Sequence, residues 1–242
     1  ERSYEGPASA NVAGETVALD AQGALTVTMP TDAKTDVAYQ YIFEGDVEDV
    51  SRQHIANRSS VILHPAPWYI GLKRPANFQP QARGAAIEVL TAGLNGAIVP
   101  GVKVDIKLFR VQYTSVNRAQ GGGFYNWETE RKEIAAGEWT ITTASSALPL
   151  TMATPEGGLY EVRATATDAA GRTTRTDLDF YVIGTGYTAW ERFDHNRIEL
   201  TPEHQTWKPG ETARVLAPAS TSLPMRSRLA RISAVSAVAV AR

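Results

Sequence analysis

Cysteine is absent from all 242 residues. That absence removes disulfides, thiolate metal sites, cysteine nucleophiles and cysteine-based thioesters together. It leaves the compartment open, because a well-cored domain needs no disulfide even in an oxidising space. Histidine is scarce, and His54, His64, His195 and His204 show neither H-x-x-x-H nor H-E-x-x-H spacing, so no metal site is expected. Charge of one sign is lacking as well: 24 Lys and Arg stand against 26 Asp and Glu, a formal charge of −2. No positive surplus exists to collect phosphates, so neither nucleic acid nor an anionic membrane is an expected partner. No apolar run approaches the roughly 20 residues of a membrane-crossing helix. The chain opens Glu1-Arg2-Ser3-Tyr4, without an initiator Met or a signal pattern, and reads as an excerpt of something longer. Helical periodicity is missing too: nothing before about residue 220 keeps a 3.6-residue apolar period for three turns.

Period-2 alternation takes its place. Val37, Tyr39, Tyr41 and Phe43 alternate with Ala38, Gln40 and Glu44; Val102, Val104, Ile106 and Leu108 alternate with Lys103, Asp105 and Lys107. Tyr160, Val162, Ala164 and Ala166 repeat the pattern, Asp168 to Gly171 supply turn chemistry, and Thr176, Leu178, Phe180 and Val182 form the return. Successive side chains on a strand point to opposite faces, so these runs are half-buried strands, the last two joined as a hairpin. Short strands with frequent turn signals predict an all-β chain of antiparallel immunoglobulin-like sandwiches, not βαβ units.

An internal echo divides the chain. Leu72 to Pro80 has an apolar strand followed by Phe78 two residues before Pro80; Leu200 to Gly210 has the same order with Trp207 before Pro209. Apolar strands follow both, at Ala86–Leu90 and Ala213–Leu216. The echo implies tandem modules: residues 1–69 closing one sandwich, 70–183 a complete one, 184–196 a connector, and 197–242 the start of a third.

Motifs that suggest chemistry are weak. Gly184, Gly186 and Ala189 fit G-x-G-x-x-A, yet only Trp190 to His195 follows before a new strand, too short for the helix that would receive a pyrophosphate. A connector is the better reading. Gly121 to Gly123 lacks the Lys-Ser/Thr of a phosphate loop and reads as a hairpin tip. Glu44, Asp46, Glu48 and Asp49 do not match a calcium loop and read as a solvated loop. Asp194 beside His195 has no G-x-S-x-G partner and reads as a hydrogen-bonded turn. Trp68, Tyr69, Trp127, Trp139, Trp190 and Trp207 are candidates for a sugar platform, though most fall in strand patterns where core packing is the default. After Glu211 no acidic residue occurs, and Arg226, Arg228, Arg231 and Arg242 stand in a Ser/Ala/Val background. No catalytic residue and no cofactor is expected.

Three longer stretches carry a family resemblance. Tyr160 to Arg172, Phe180 to Trp190 and Asp194 to Leu200, continued by Trp207 to Arg214, are similar to bacterial alpha-2-macroglobulins. Phe43 to Gln53, His64 to Tyr69 and Gly123 to Glu130 fit the same family, so the resemblance spans about residues 20–216. It implies a string of macroglobulin sandwiches in a large periplasmic or surface-anchored protease trap. In such a trap a protease cuts an exposed bait segment, the molecule rearranges, and the attacker is confined. Partners would be proteases, through the intact protein, and neighbouring macroglobulin domains. Many members carry a Cys-Gly-Glu-Gln thioester, which this cysteine-free stretch cannot supply; the bait segment would belong to the region beginning near the chain's end. The role left is scaffold, with Tyr187, Trp190, Arg192, Asp194, His195 and Arg197 at the interdomain junction and Trp190 and Tyr187 wedged between modules. After Leu216 the family pattern Ser-Pro-Phe/Trp is replaced by Ala217-Pro218-Ala219, and residues from about 217 read as an out-of-frame or mispredicted terminus. The alternatives are a tandem immunoglobulin-like adhesin or carbohydrate-binding module and, on the dinucleotide pattern alone, an enzyme.

Overall fold

The computed structural model describes residues 14–32, 34–74, 76–119, 125–184 and 200–216. Among them the only helical element is a 3-10 turn at Gln81–Arg83; everything else regular is strand. The all-β expectation holds. By internal contact the chain divides into Glu1–Pro67 with Thr167–Thr174, and Trp68–Ala166 with Arg175–Arg242.

In the first unit β1 (Tyr39–Glu48) and β2 (His54–Leu63) form an antiparallel hairpin in register from Tyr39↔Leu63 to Glu48↔His54. Asp49 closes the turn: its carboxylate accepts from the Ser51 amide at 2.7 Å, the Ser51 hydroxyl at 2.6 Å and the Gln53 amide at 3.0 Å. These bonds, led by the Ser51 hydroxyl, hold the carboxyl below its ordinary pKa. Alternation puts Tyr39, Tyr41, Phe43 and Val47 on the same face as Ile55, Val61 and Leu63. The acidic residues behave differently from the solvated loop expected of them. Glu44, Asp46 and Glu48 lie within β1, spaced by two on the opposite face, and only Asp49 is in a turn. Their even spacing fits a strand face, where Glu44 sits opposite Arg58 and Asp46 meets His54 diagonally at 2.8 Å. Another turn of this unit, Asp168 to Arg172, has the chemistry expected of it. Asp168 accepts from the Ala170 and Arg172 amides, both at 2.9 Å, and Gly171 takes a φ of 80°.

The second unit is a two-sheet sandwich. One sheet orders β3 (Trp68–Lys73), β5 (Ala85–Gly93) and β8 (Leu148–Met152). The other orders β4 (Phe78–Pro80), β10 (Thr173–Ile183), β9 (Gly158–Thr167), β6 (Lys103–Ala119) and β7 (Tyr125–Thr142). One departure from the antiparallel expectation occurs at the edge: β4 runs parallel to β10, Phe78↔Tyr181 to Pro80↔Ile183. Three residues suffice for this pairing, and Pro80, which has no amide proton, ends it.

The core is assembled from alternate residues of both sheets. Ile70, Ala85, Ile87, Val89 and Met152 face Val104, Ile106, Leu108, Tyr160, Val162, Ala164, Phe180 and Val182, all buried. Each fully buried Ile or Leu contributes about 1.5–3 kcal/mol, so this layer dominates the unit's stability. Tyr160 stacks on Phe180 with centroids 5.8 Å apart, and its hydroxyl reaches the Glu156 carbonyl at 2.9 Å, so the ring is buried without orphaning its polar end. The β6–β7 register slips between Leu108 and Phe109, leaving Ala136 as the extra residue of a bulge. Strand β9 accompanies β6 only from Asp105 to Val111. From Gln112 to Ala119, β6 and β7 pair with each other alone, a ribbon of about 26 Å at roughly 3.3 Å per residue.

Candidate functional site

The six expected junction residues, Tyr187, Trp190, Arg192, Asp194, His195 and Arg197, lie outside the described residues, as does the Gly186–Ala189 part of the dinucleotide pattern. The chain on either side is described, and it meets the sandwich at Gln81 and Asn77, the residues that flank the short edge strand β4.

On the exit side, β10 ends at Ile183 beside Pro80 and the chain leaves through Gly184. A side chain at 184 would collide with Gln81, whose Oε1 lies 1.8 Å from where a Cβ would sit. Gln81 in turn donates from Nε2 to the Pro155 carbonyl, and Gly157 packs against the Gly184 backbone. An open groove of about 470 Å³ lies between Gln81, Thr154 and Gly184.

On the return side, β11 (Thr201–Pro202) and β12 (Val215–Leu216) pair antiparallel. They meet the sandwich at Asn77, the residue before β4. Its carbonyl accepts from the Tyr181 amide at 2.9 Å, its amide donates to the Glu203 carbonyl at 2.8 Å, and its Nδ2 donates to the Pro202 carbonyl at 2.8 Å. Asn77 is therefore a bracket between β10 and the segment after β11. Asn suits the position because its side-chain amide can donate while its main chain serves both neighbours.

The far side of the bracket is closed by charge. The Arg214 guanidinium grips the Glu203 carboxylate with two hydrogen bonds, Nε to Oε2 at 2.7 Å and Nη2 to Oε1. Glu203 is buried, and the bidentate pairing holds its carboxyl below the ordinary value near 4.5. Arg214 also lies 6.0 Å from the ring centroid of Phe78, the first residue of β4. Close by, His204 meets Trp207 edge-on at 5.9 Å, and the Lys208 amide donates to the Glu211 carboxylate at 2.7 Å, making a turn ahead of β12. Trp207 thus occupies a loop, whereas its counterpart Phe78 is in the core.

The remaining polar clusters are structural in geometry. Arg163 joins Glu133 at 3.0 Å and also Glu161; Arg131 joins the same two carboxylates; and the Arg163 guanidinium lies 4.7 Å from the Phe109 ring centroid. The hydrogen bond from Arg131, followed by that from Arg163, holds the Glu133 carboxyl below its ordinary value. Each carboxylate in this lattice is occupied by a guanidinium, an arrangement suited to tying β7 to β9. Among the described residues no group of three or more His, Asp, Glu or Cys is placed to hold a metal ion. No described helix is long and apolar enough to cross a membrane. Of the aromatic candidates, Trp68 is in the core, Trp139 packs against it, Tyr69 is half-buried and Trp207 is engaged with His204; Trp127 and Trp190 fall outside the described side chains.

The bracket was missed from sequence, although a signal was present. The echo had matched Leu72–Pro80 with Leu200–Gly210 as repeated openings; the folded chain brings those two segments into contact through Asn77, Pro202 and Glu203.

Fold and site together define a β-sandwich protein whose following strand pair is fastened to the sandwich edge. No family model matches the chain. It is 31% identical over 185 residues to an alpha-2-macroglobulin homolog of Nostoc, covering 75% of this chain and 10% of that protein. A second alpha-2-macroglobulin homolog, from Deinococcus radiodurans, is 26% identical over 210 residues, covering 86% of this chain and 19% of that protein. Among solved structures, the native conformation of Escherichia coli alpha-2-macroglobulin aligns at 16% identity and a TM-score of 0.49, over 76% of this chain and 12% of that one. The chain belongs to the bacterial alpha-2-macroglobulin family, and it spans between a tenth and a fifth of the length of these curated relatives.

Proposed function

We propose that this stretch is scaffold in an endopeptidase inhibitor of the protease-trap kind, and that it performs no catalysis. The carrying observation is the 31% identity over 185 residues to an alpha-2-macroglobulin homolog. The fold agrees with such a role: a sandwich with a continuous core, and carboxylates locked by arginines. In this reading residues 1–69 close one macroglobulin sandwich, 70–183 form a second, 184–196 connect, and 197 onward opens a third. The connector residues Tyr187, Trp190, Arg192, Asp194, His195 and Arg197 line the junction. The protein works in the periplasm or cell envelope, and its partners are endopeptidases and its own neighbouring sandwiches, whose rigid-body shifts transmit a cleavage elsewhere in the molecule.

The test uses the polypeptide encoded by the whole reading frame that contains this stretch. It is mixed with a broad-specificity endopeptidase, and activity is followed on a small chromogenic peptide and on a large protein substrate. Confinement predicts that cleavage of the small substrate persists while cleavage of the large one falls severalfold. Equal activity on both, with and without the protein, rejects the trap. A tandem binding module is the other outcome, recognised by glycan affinity in the absence of any effect on proteases.

A further inference from the structure

On either side of the connector the chain is held by a residue flanking one three-residue strand. The chain leaves at Gly184, packed against Gln81 just after β4, and it is held again at Pro202 and Glu203 by Asn77 just before β4. The span between these ties is about 13 Å, four residues at roughly 3.3 Å each. A connector sets the relative orientation of two bodies only where nothing shorter joins them. Here a shorter route exists, through hydrogen bonds centred on Asn77.

We propose that Asn77 is the positioning residue that sets the direction in which residues 200–216 leave the sandwich, so that β11–β12 and the sandwich move as one body. The inference rests on the reading above, that consecutive macroglobulin modules meet here. It moves the control of their geometry from the connector to the edge of β4. Three features give the bracket this capacity. Both downstream acceptors on Asn77, the Pro202 and Glu203 carbonyls, are main chain, so the contact holds the path of the backbone itself. The same residue accepts from Tyr181 of β10, so the bracket is anchored in the five-stranded sheet. Arg214 neutralises the buried Glu203 carboxylate and reaches over Phe78, closing the strand pair onto the same edge from the residue before its second strand. A displaced segment would leave the Asn77 donors and the Glu203 carbonyl seeking water, and it would separate Arg214 from the Phe78 ring.

The experiment uses the 242-residue chain and its Asn77→Asp, Asn77→Gln, Arg214→Met and Trp190→Ala variants. Amide relaxation and hydrogen exchange are read for residues 200–216 and for the sandwich strands separately. In the unaltered chain the two sets should share one rotational correlation time. Asn77→Asp replaces the donor to Pro202 with an acceptor and should give 200–216 independent motion, with exchange at the Asn77 amide about tenfold faster. The melting of the sandwich should hold. Asn77→Gln keeps a donor and should restore most of the protection, a rescue that a purely space-filling role would not show. Arg214→Met leaves every sandwich hydrogen bond in place and should loosen the segment by itself, so the test survives if Asn77→Asp fails to fold. Unchanged exchange and relaxation in a folded Asn77→Asp chain would overturn the proposal, as would unchanged values in Arg214→Met where Asn77→Asp does not fold. So would release of 200–216 by Trp190→Ala alone. None of these measurements reads protease confinement, so a failed bracket leaves the trap standing, and a failed trap assay leaves the bracket to be judged on its own.

Discussion

The hydroxyls of Thr91 and Thr143 meet at 2.8 Å inside the sandwich, where both residues are buried. Thr91 lies on β5, and Thr143 follows the end of β7. The pair closes the loop between β5 and β6: Thr91 also donates to the Val99 carbonyl, and the Thr143 hydroxyl accepts from the Val102 amide at 3.1 Å. Two hydroxyls thus satisfy main-chain groups that the fold takes out of water.

Unequal costs follow for the two threonines. Thr143→Val orphans the Val102 amide, while the Thr91 hydroxyl keeps the Val99 carbonyl, and it should lower stability by about 1–3 kcal/mol, more than Thr91→Val does. Urea unfolding of both variants measures the difference. Equal losses would mean that the loop re-satisfies its own amide.

Gly84 is a second sensitive point. Its φ is 67°, and a Cβ there would lie 2.7 Å from the Met152 carbonyl oxygen. Gly84→Ala should cost about 1–3 kcal/mol from strain alone. Gly45→Ala, with nothing within 4 Å and an ordinary φ, is the matched control and should be near neutral. Parallel thermal melts of the two variants decide it.

Acid should loosen the tie between β7 and β9. The Arg131 and Arg163 hydrogen bonds hold the folded Glu133 carboxyl below its ordinary value near 4.5, so at acid pH the unfolded chain binds the proton more readily than the folded one. The contribution is therefore complete above about pH 5 and fades as pH falls through and below 4.5. Glu133→Gln should flatten this part of the stability profile measured by denaturant titration at stepped pH. An acid slope unchanged in the variant would assign it to other carboxylates.

The β1–β2 hairpin leaves an apolar face in water. Phe43, Val61 and Ile55 share that face and are 42%, 53% and 76% exposed. Two strands cannot bury such a face between themselves. The chain should therefore bind an environment-sensitive apolar dye and self-associate with rising concentration. Val61→Lys with Ile55→Lys should reduce both signals, which fluorescence and light scattering read directly. Dye binding retained in full by the double variant would locate the exposed surface elsewhere.

Strand identity was legible wherever one side chain in two had to be apolar. Val104, Ile106 and Leu108, like Tyr160, Val162 and Ala164, alternate because a sheet has one dry face, and all six are buried. The turn at Asp168 was legible because a carboxylate that caps its own following amides is a local device. The same local reasoning misplaced Glu44, Asp46 and Glu48. A run of acids looks like a loop until a cross-strand partner shows that it is every second residue of a strand.

Alternation, turn chemistry and the lack of cysteine are properties of neighbours in the chain, and they determined that this is an all-β molecule without disulfides. The family, too, was readable from contiguous stretches such as Tyr160–Arg172. What the chain order could not disclose is which distant segments touch. The parallel placement of β4 on β10, the Arg131–Glu161 and Arg163–Glu133 lattice, and the Asn77 bracket onto Pro202 and Glu203 are choices among many pairings that local preference leaves equal. Packing of the two sheets selects one of them, because only that arrangement dries the core and leaves main-chain donors such as the Asn77 amide with a partner.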